Sequence, residues 1–251
     1  MQGRGIKSLT FGLKCDIITY NCENLKMKCR KMKKRLLIFD LDGTIADTLP
    51  SIAEAINLCA RHFGYPEKSD DEVRLAVGNG VGELLKKTMP SDAMSDAVQC
   101  EKIKEYFAIC YEQTQSRVDC AYSGMAEVMR ELYKKGFILA VLSNKPEKLV
   151  KMIVNNIFPD GIISESMGQT ELPKKPDPTV PILIAEQFGI ATSDTYFIGD
   201  SEVDVLTGKN AGMVSVAVSW GLRDRCVLEA ANPDVILDTR GELYNYFCNL
   251  T

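Results

Sequence analysis

Residues 36–44 read Leu-Leu-Ile-Phe-Asp-Leu-Asp-Gly-Thr, and this stretch decides the fold of the chain. Four apolar residues in a row are typical of a buried strand in a parallel sheet. Asp40 and Asp42 follow directly, so the sequence places two carboxylates at the carboxyl end of that strand. Open α/β sheets bind their ligands at this edge.

The spacing of the two acids limits what they can do. Side chains at i and i+2 of an extended backbone point to the same side, so Asp40 and Asp42 should lie close together. Two neighbouring carboxylates are unfavourable unless a cation or a shared proton compensates their charge. Both occur in phosphoryl transfer. The alternative is an ordinary strand-to-helix turn with its acids in solvent, and this motif alone does not separate the two.

The composition predicts a folded protein of one large or two smaller domains, with 251 residues, 45% hydrophobic and 25% charged. A formal net charge of −4 gives no reason to expect nucleic-acid binding. The chain has no run of about eighteen apolar residues, so we expect no membrane partner. The nine cysteines include no C-x-x-C pair and His62 is the only histidine, which argues against a zinc site and a Ser-His mechanism. Reduced thiols are typical of a cytoplasmic location, which we expect here.

Helical and strand patterns divide the chain into two kinds of segment. After the first strand, apolar residues recur at helical spacing and no strand pattern occurs between about 48 and 120. One of these helical patterns covers roughly residues 93–115. Beyond 120, strands alternate with helices, and the strands are expected at 137–142, 161–163, 196–198, 214–218 and 235–237. Such alternation implies a parallel sheet with right-handed crossovers.

The sequence therefore predicts an α/β protein with a doubly wound, Rossmann-like parallel-sheet core and an inserted all-helical cap domain. We assign residues 34–48 and 121–251 to the core and residues 49–120 to the cap. Residues 1–33 lack clear periodicity and end in a basic run. We expect them to be a flexible basic extension or the result of a start assigned too early, since Met32 would be a natural chain start.

Two later segments place polar side chains between predicted strands and helices. Ser143 and Asn144 follow the second strand, where a hydroxyl and backbone N–H groups could hold a phosphate oxygen. Ser143 could instead cap the next helix. Lys175 precedes Pro176, which favours an extended backbone and could aim the ammonium inward. The alternative is a solvated basic turn, and Lys174 is the nearest competitor for the same role.

A further segment repeats the arrangement of the first motif. Gly199 follows an apolar strand and permits a tight turn, and Asp200 and Asp204 come after it. Their carboxylate oxygens could serve a hard cation. The alternative is that Asp200, Ser201 and Glu202 only cap the next helix and complement its dipole.

In this order, Asp-x-Asp-Gly-Thr, Ser-Asn, Lys-Pro and Gly-Asp-Ser-x-x-Asp resemble the motifs of the haloacid-dehalogenase-like hydrolase superfamily, and within it the phosphoglycolate-phosphatase-like group. The resemblance runs from about Lys34 to about Tyr246. It implies a Mg²⁺-dependent phosphatase that hydrolyses a small phosphate monoester, first of all phosphoglycolate, through an aspartyl-phosphate. The alternatives are a phosphomutase or a pyrophosphatase of the same superfamily, or a non-catalytic binding protein on this scaffold.

The resemblance also implies roles for individual residues. Asp40 would be the nucleophile and Asp42 the acid that protonates the leaving oxygen. The transferring phosphoryl group would be held by Ser143, Asn144 and Lys175.

The same resemblance implies the ligands of Mg²⁺ and a role for the cap. Mg²⁺ would bind the Asp40 carboxylate, the Asp42 backbone carbonyl and Asp200, with Asp204 in direct or water-mediated support. The cap would close over the sheet edge, where Gly78-Asn79-Gly80 could present N–H groups to a small anion or form a plain turn. The expected partner is a small phosphorylated metabolite, and the expected state is a monomer or homodimer.

Overall fold

The computed structural model describes residues 34–250, which lie in one compact unit spanning Lys34–Thr251. The expectations for residues 1–33 concern a segment outside the described residues. Within the described range, no helix combines the length and the apolar character needed to cross a membrane.

A parallel sheet forms the centre of the molecule. Within residues 34–250 its six strands are β1 (Leu36–Phe39), β2 (Ile138–Pro146), β3 (Glu165–Gln169), β4 (Thr195–Gly199), β5 (Val214–Val218) and β6 (Val235–Leu237). They lie in the order β3-β2-β1-β4-β5-β6, and each neighbouring pair is parallel. The strand order reverses direction between β1 and β4, and doubly wound sheets bind ligands at such a switch point.

A block of helices is inserted in the chain between β1 and β2. Its helices are α1 (Leu49–Phe63), α2 (Asp70–Ala76), α3 (Val81–Thr88), α4 (Ser91–Ser95) and α5 (Ala97–Gln115). They share an apolar cluster in which Ile56, Leu85 and Phe107 are completely buried. The two connections between this block and the sheet lie side by side, because the N–H of Tyr122 donates to the carbonyl of Ile45 (2.8 Å).

The helical pattern over 93–115 corresponds to two helices, α4 and α5, with a break between them. The Asp96 carboxylate accepts hydrogen bonds from the N–H groups of Val98 and Gln99 (2.9 Å each) and thereby starts α5. An aspartate at this position caps a new helix in preference to continuing an old one. Apolar periodicity does not register this capping interaction.

Helices also pack on both faces of the sheet. They are α6 (Met125–Lys134), α7 (Glu147–Ile157), α8 (Thr179–Gln187), α9 (Glu202–Asn210), α10 (Arg225–Ala230) and α11 (Arg240–Cys248), of which α10 and α11 were not expected from the sequence. Val141 and Ile198 belong to the apolar cluster on one face, and Ile38 and Phe197 belong to the cluster on the other. The predicted fold class, a doubly wound parallel sheet with an inserted helical cap, is therefore confirmed.

The strand expected at 161–163 is wrong, since β3 begins only at Glu165. Ile162 is buried in the apolar core but lies outside the strands. β3 has the sequence ESMGQ and meets the start of α7 through its backbone, since a Cβ atom at Gly168 would lie 2.4 Å from the Cα of Glu147. Apolar content therefore indicated residues 161–163, whereas the edge strand β3 lies where the backbone packs closely against the start of α7.

Candidate active site

Four segments converge at the carboxyl edge of the sheet beside the switch point. Asp40 follows β1, Asp200 follows β4, Ser143 lies in the last part of β2, and Lys175 precedes α8. Each of these residues is at most 7% exposed. They line a pocket between the sheet and the cap that offers about 40 Å³ to the centres of water molecules. The apolar side chains opposite them include Leu84 of α3, so the pocket suits a small ligand held by its polar end.

Three buried carboxylates meet in this pocket. Asp40, Asp200 and Asp204 each bring one oxygen to within 4.8 Å of the others. Burial, together with the charges of Asp204 and Asp42, raises the pKa of Asp40 to about 7, although the Lys175 ammonium opposes the rise. Burial, then the neighbouring carboxylates of Asp204 and Asp40, raise the pKa of Asp200 well above its usual range.

The Asp200 carboxylate is held in one orientation. Thr44 Oγ1 donates to Oδ1 (3.1 Å), and the N–H of Leu222 donates to Oδ2 (2.6 Å). Gly43, with φ +82°, and Gly221 approach the same group so closely that a Cβ atom would lie 2.3 Å and 2.4 Å, respectively, from Oδ2. Each oxygen accepts one hydrogen bond and keeps a lone pair for a further ligand.

Lys175 links two of the three carboxylates. Its Nζ lies 2.7 Å from Asp204 Oδ1, with which it forms a hydrogen bond, and 2.8 Å from Asp40 Oδ1. The second contact is an ion pair without hydrogen-bond alignment, so among the described residues Asp40 Oδ1 is buried without a hydrogen-bond partner. Burial alone would lower the pKa of Lys175, but Asp204 and Asp40 outweigh it and raise this pKa. A solvated basic turn does not describe this residue.

The capping interpretation of the Gly-Asp-Ser-x-x-Asp segment applies to Ser201, whereas cation binding by Asp200 and Asp204 stays a prediction. Ser201 caps α9 and forms a capping box with Asp204, whose Oδ2 accepts from the Ser201 hydroxyl (2.6 Å) and N–H (3.1 Å). Because Asp204 Oδ1 accepts from Lys175, both oxygens of this carboxylate are engaged. Asp200 instead turns toward Asp40 and Thr44.

The donor set fits a hard divalent cation. Asp40 offers a buried oxygen that lacks a hydrogen bond from the described chain, and Asp200 offers lone pairs in a fixed orientation. Carboxylate oxygens are the ligands that Mg²⁺ prefers, and its charge would offset the burial and the mutual repulsion that raise both pKa values. The engaged oxygens of Asp204 suit support of this site better than direct binding.

Asp42 belongs to a second cluster, which includes residues that the sequence analysis missed. Thr48 Oγ1 (2.5 Å) and Lys145 Nζ (2.6 Å) both donate to Asp42 Oδ1. The side chain of Lys145 is completely buried, and its Nζ lies 5.0 Å from the ring centre of Tyr111, which α5 supplies from the cap. Burial would lower the pKa of Lys145, but the Asp42 carboxylate raises it. Lys145 follows two other polar residues at the end of β2, so no local signal set it apart, and nothing in the helical pattern marked Tyr111.

The hydroxyl of Ser143 is available to the pocket. In the described chain α7 begins after Pro146 without a side-chain cap, so Ser143 does not cap it. Its Oγ accepts from the N–H of Lys145 (3.3 Å) and keeps its own proton to donate.

The side chain of Asn144 is occupied by structural contacts. Its Nδ2 donates to the carbonyls of Gly78 (3.0 Å) and Lys175 (3.1 Å), and its Oδ1 accepts from the N–H of Lys175 (2.9 Å). These bonds position Lys175 and the cap, so the backbone N–H of Asn144 is the group that stays a candidate for phosphate.

The turn between α2 and α3 closes the pocket from the cap side. Gly78 and Gly80 line the pocket. The carbonyl of Gly78 accepts from Asn144, and the carbonyl of Asn79 accepts from Nζ of Lys174 (2.7 Å). The turn is therefore a contact between cap and core, and Lys174 lies at this contact, away from Asp40. Anion binding by its N–H groups stays a prediction.

Arg223 is a second buried cation that the sequence analysis missed. It lies between β5 and α10, and its Nη1 and Nη2 donate to the carbonyls of Arg74 (2.8 Å) and Val77 (2.6 Å) in the cap. Its Nε pairs with Glu202 (3.2 Å) at the start of α9. No local pattern marks this residue, because its partners come from distant parts of the chain.

Known proteins share this fold and this order of motifs. A family model described as haloacid dehalogenase-like hydrolase matches residues 37–218. The chain is 33% identical to phosphoglycolate phosphatase of Vibrio parahaemolyticus serotype O3:K6 (strain RIMD 2210633), over 83% of this chain and 94% of that protein. It is 32% identical to phosphoglycolate phosphatase of Vibrio cholerae serotype O1 (strain ATCC 39315 / El Tor Inaba N16961), over 83% and 95%. The crystal structure of a predicted phosphoglycolate phosphatase from Haemophilus somnus 129PT has a TM-score of 0.79 and 28% identity, over 85% of this chain and 97% of that one.

The resemblance drawn from the motifs is thus confirmed by matches that extend over most of the chain. The chain belongs to the haloacid dehalogenase-like hydrolase family, within which it is a phosphatase.

Proposed function

We propose that the protein hydrolyses a small phosphate monoester, with phosphoglycolate as the first candidate, in a Mg²⁺-dependent reaction through an aspartyl-phosphate on Asp40. The observation that carries this proposal is the buried group at the switch point. Oxygens of Asp40 and Asp200 lie within 4.8 Å of one another, and the Lys175 ammonium lies 2.8 Å from Asp40. The names of the relatives at 33% and 32% identity support the choice of substrate.

Asp40 and Asp42 would share the chemistry. The Asp40 carboxylate attacks the phosphorus of the monoester, the bond from phosphorus to the leaving oxygen breaks, and Asp42 gives that oxygen a proton. Asp42 then takes a proton from the water that attacks the aspartyl-phosphate. This second step releases inorganic phosphate and restores Asp40.

The remaining polar groups would hold the phosphoryl oxygens. The Ser143 hydroxyl, the Asn144 N–H and Lys175 donate to these oxygens, and Lys175 also reduces the repulsion between Asp40 and the anionic substrate. When bound at Asp40, the Asp42 carbonyl and Asp200, Mg²⁺ would neutralise charge on the carboxylates and the phosphoryl group. Asp204 keeps Lys175 in place.

The cap would select the leaving group. The apolar side chains and the small volume of the pocket favour a short leaving group, and the cap excludes water from it. We assign Gly78, Asn79 and Gly80 to this side, with the N–H groups at the start of α3 as candidates for an anionic end of the substrate. A cytoplasmic location is part of the proposal and is supported by Cys59 and Cys110, which form no disulfide among the described residues.

Phosphate release from a panel of compounds tests the proposal. The panel contains phosphoglycolate, p-nitrophenyl phosphate, a hexose phosphate, a nucleoside monophosphate and pyrophosphate, each with MgCl₂ or with EDTA. We expect Mg²⁺-dependent release with phosphoglycolate preferred. Preference for pyrophosphate would replace the substrate assignment, and transfer to a sugar without release of phosphate would indicate a phosphomutase.

The Asp40→Asn variant tests the nucleophile. We expect turnover of every compound to fall by at least about 10³-fold, because the amide cannot attack phosphorus. Turnover within a few-fold of the unaltered protein would refute the aspartyl-phosphate. Thermal unfolding of the variant controls for loss of structure.

A further inference from the structure

The proposed reaction assigns no role to Lys145, although this lysine lies inside the site. Its side chain has no exposed surface, and its Nζ is bonded to Asp42 Oδ1 at 2.6 Å. A buried cation is unfavourable unless it is paired, so the fold maintains this contact against a considerable desolvation penalty. Neither Asp40 nor the residues proposed to hold phosphate bond to the Lys145 ammonium in the described structure.

The contacts of Asp42 distinguish its two oxygens. Oδ1 accepts from both Lys145 Nζ and Thr48 Oγ1, whereas no hydrogen bond from residues 34–250 reaches Oδ2. The Asp42 side chain keeps about a tenth of its surface exposed and lines the pocket. A carboxyl group that protonates a leaving oxygen must aim one oxygen at it, and two strong donors on the other oxygen fix that choice.

The partners of this cluster come from both sides of the pocket. Lys145 belongs to β2 of the sheet, Tyr111 belongs to α5 of the cap, and Thr48 directly precedes α1, the first cap helix. The Lys145 ammonium contacts both the Asp42 carboxylate and Tyr111, whose ring centre lies 5.0 Å from Nζ. Such a cation–π contact stabilises the ammonium where water is excluded.

We infer that Lys145 is a positioning residue that, together with Thr48, binds Oδ1 of Asp42 and leaves Oδ2 to protonate the leaving oxygen. Tyr111 holds the ammonium in place from the cap. In this step the O–H bond at Oδ2 breaks as the bond from phosphorus to the leaving oxygen breaks, and the proton passes to that oxygen. Lys145 neither gains nor loses a proton. The inference rests on the proposed function, in which Asp42 is the acid.

Two leaving groups separate this role from a merely structural one. An alkoxide needs a proton in order to leave, whereas p-nitrophenolate leaves without one. In single turnovers, which report the first step alone, we expect Lys145→Met to slow the cleavage of phosphoglycolate by about 10²-fold and that of p-nitrophenyl phosphate by less than about threefold. If the unaltered protein does not hydrolyse phosphoglycolate, ethyl phosphate is the alkyl probe. The ratio of the two rates in one preparation is independent of the fraction that is folded.

The matched control is Lys148→Met. Lys148 lies three residues further along, is largely exposed, and pairs with Glu112 of the cap. We expect it to leave both rates unchanged. If Lys145→Met is inactive with both substrates, Thr48→Val removes the other donor to Oδ1, and the same selective loss is expected from it.

A double variant completes the test. If Lys145 acts only through Asp42, Asp42→Asn and Asp42→Asn/Lys145→Met have equal rates on phosphoglycolate. A measurable and equal loss on both substrates from Lys145→Met, an equal loss on both from Thr48→Val, or a further loss in the double variant would overturn the inference. If instead Asp40→Asn stays active, or Asp42→Asn slows the first step of both substrates alike, the proposed function itself fails.

Discussion

Lys174 and Lys175 are neighbours in the chain but lie in opposite environments. Lys175 is buried with its Nζ 2.8 Å from Asp40, whereas Lys174 is exposed with its Nζ bonded to the carbonyl of Asn79. The chain turns at Lys175 and Pro176, and within this turn one lysine faces the pocket and the other faces the cap turn. The competition between the two lysines, left open by the sequence, is therefore decided by geometry in favour of Lys175 as the partner of Asp40.

Replacing each lysine by alanine should separate their effects. Lys175→Ala should lower kcat/KM by about 10²–10³-fold, since it removes a charge that stabilises the transferring phosphoryl group. Lys174→Ala should lower it less than about fivefold, as expected for an exposed polar contact. Steady-state kinetics with p-nitrophenyl phosphate, alongside thermal unfolding of each variant, measures both. The reverse ranking would show that the wrong lysine was assigned to phosphate.

Site residues differed in how far the sequence could reveal them. Asp40 and Asp200 follow apolar strands, so their place at the sheet edge could be read from the local pattern. Lys145 and Arg223 could not be assigned in the same way. Lys145 meets Asp42 over a separation of 103 residues, and Arg223 meets the cap carbonyls over 146 and 149. Their chemistry depends on which elements pack together, and no local signal carries that information.

Arg223 connects secondary-structure elements of the cap to those of the sheet domain. It binds the carbonyls at the end of α2 and contacts the start of α9. Arg74 of α2 reciprocates by donating to the carbonyl of Leu222 (2.9 Å). These bonds hold the cap turn over the pocket in the present arrangement.

Arg223→Met should loosen this contact. We expect KM for the preferred substrate to rise about tenfold, because each lost bond to a charged donor contributes about 1.5–3 kcal/mol and part of the loss is recovered by hydration. Amides of α2 and of residues 77–80 should exchange faster with deuterium. Arg225→Met is the matched control, since Arg225 is exposed and pairs with Glu229. Unchanged exchange in residues 70–80 would contradict the role of Arg223.

Prediction at this scale succeeded for elements whose apolar pattern is strong. β1, β2, β4 and β5 are runs of buried residues, and the sequence showed each of them. β3 was misplaced because its close backbone packing at Gly168 is invisible to hydropathy. The break before α5 was missed because Asp96 starts a new helix while the apolar spacing continues across it.

The buried carboxylates make the stability of the whole molecule depend on pH. In the absence of a cation, the pKa of Asp40 in the folded protein is about 7, above its ordinary 3.8. Between pH 3.8 and about pH 7, Asp40 therefore holds a proton in the folded state that it has lost in the unfolded chain. The contribution of this group to stability is present below about pH 4 and declines as the pH rises through about 7.

Mg²⁺ should reverse this decline, because the ion competes with the proton for Asp40 and Asp200. We expect the rise in Tm caused by a fixed concentration of MgCl₂ to grow between about pH 5 and about pH 8. Differential scanning calorimetry at each pH, with and without MgCl₂, measures this rise in Tm. Titrating groups far from the site contribute equally to both measurements, so their effects cancel. Asp200→Asn should reduce the increment and flatten its pH dependence. An increment independent of pH would contradict competition between Mg²⁺ and protons.

The side-by-side connections at Ile45 and Tyr122 have an evolutionary consequence. A segment that enters and leaves the sheet at one point can be lengthened, shortened or exchanged by recombination while the strand ends keep their places. Asp40, Asp200 and Lys175 lie outside that segment, whereas Tyr111 lies inside it. Selection can therefore change substrate specificity through the cap without altering the residues that attack phosphorus. A lineage can acquire new substrates while it inherits the same chemistry.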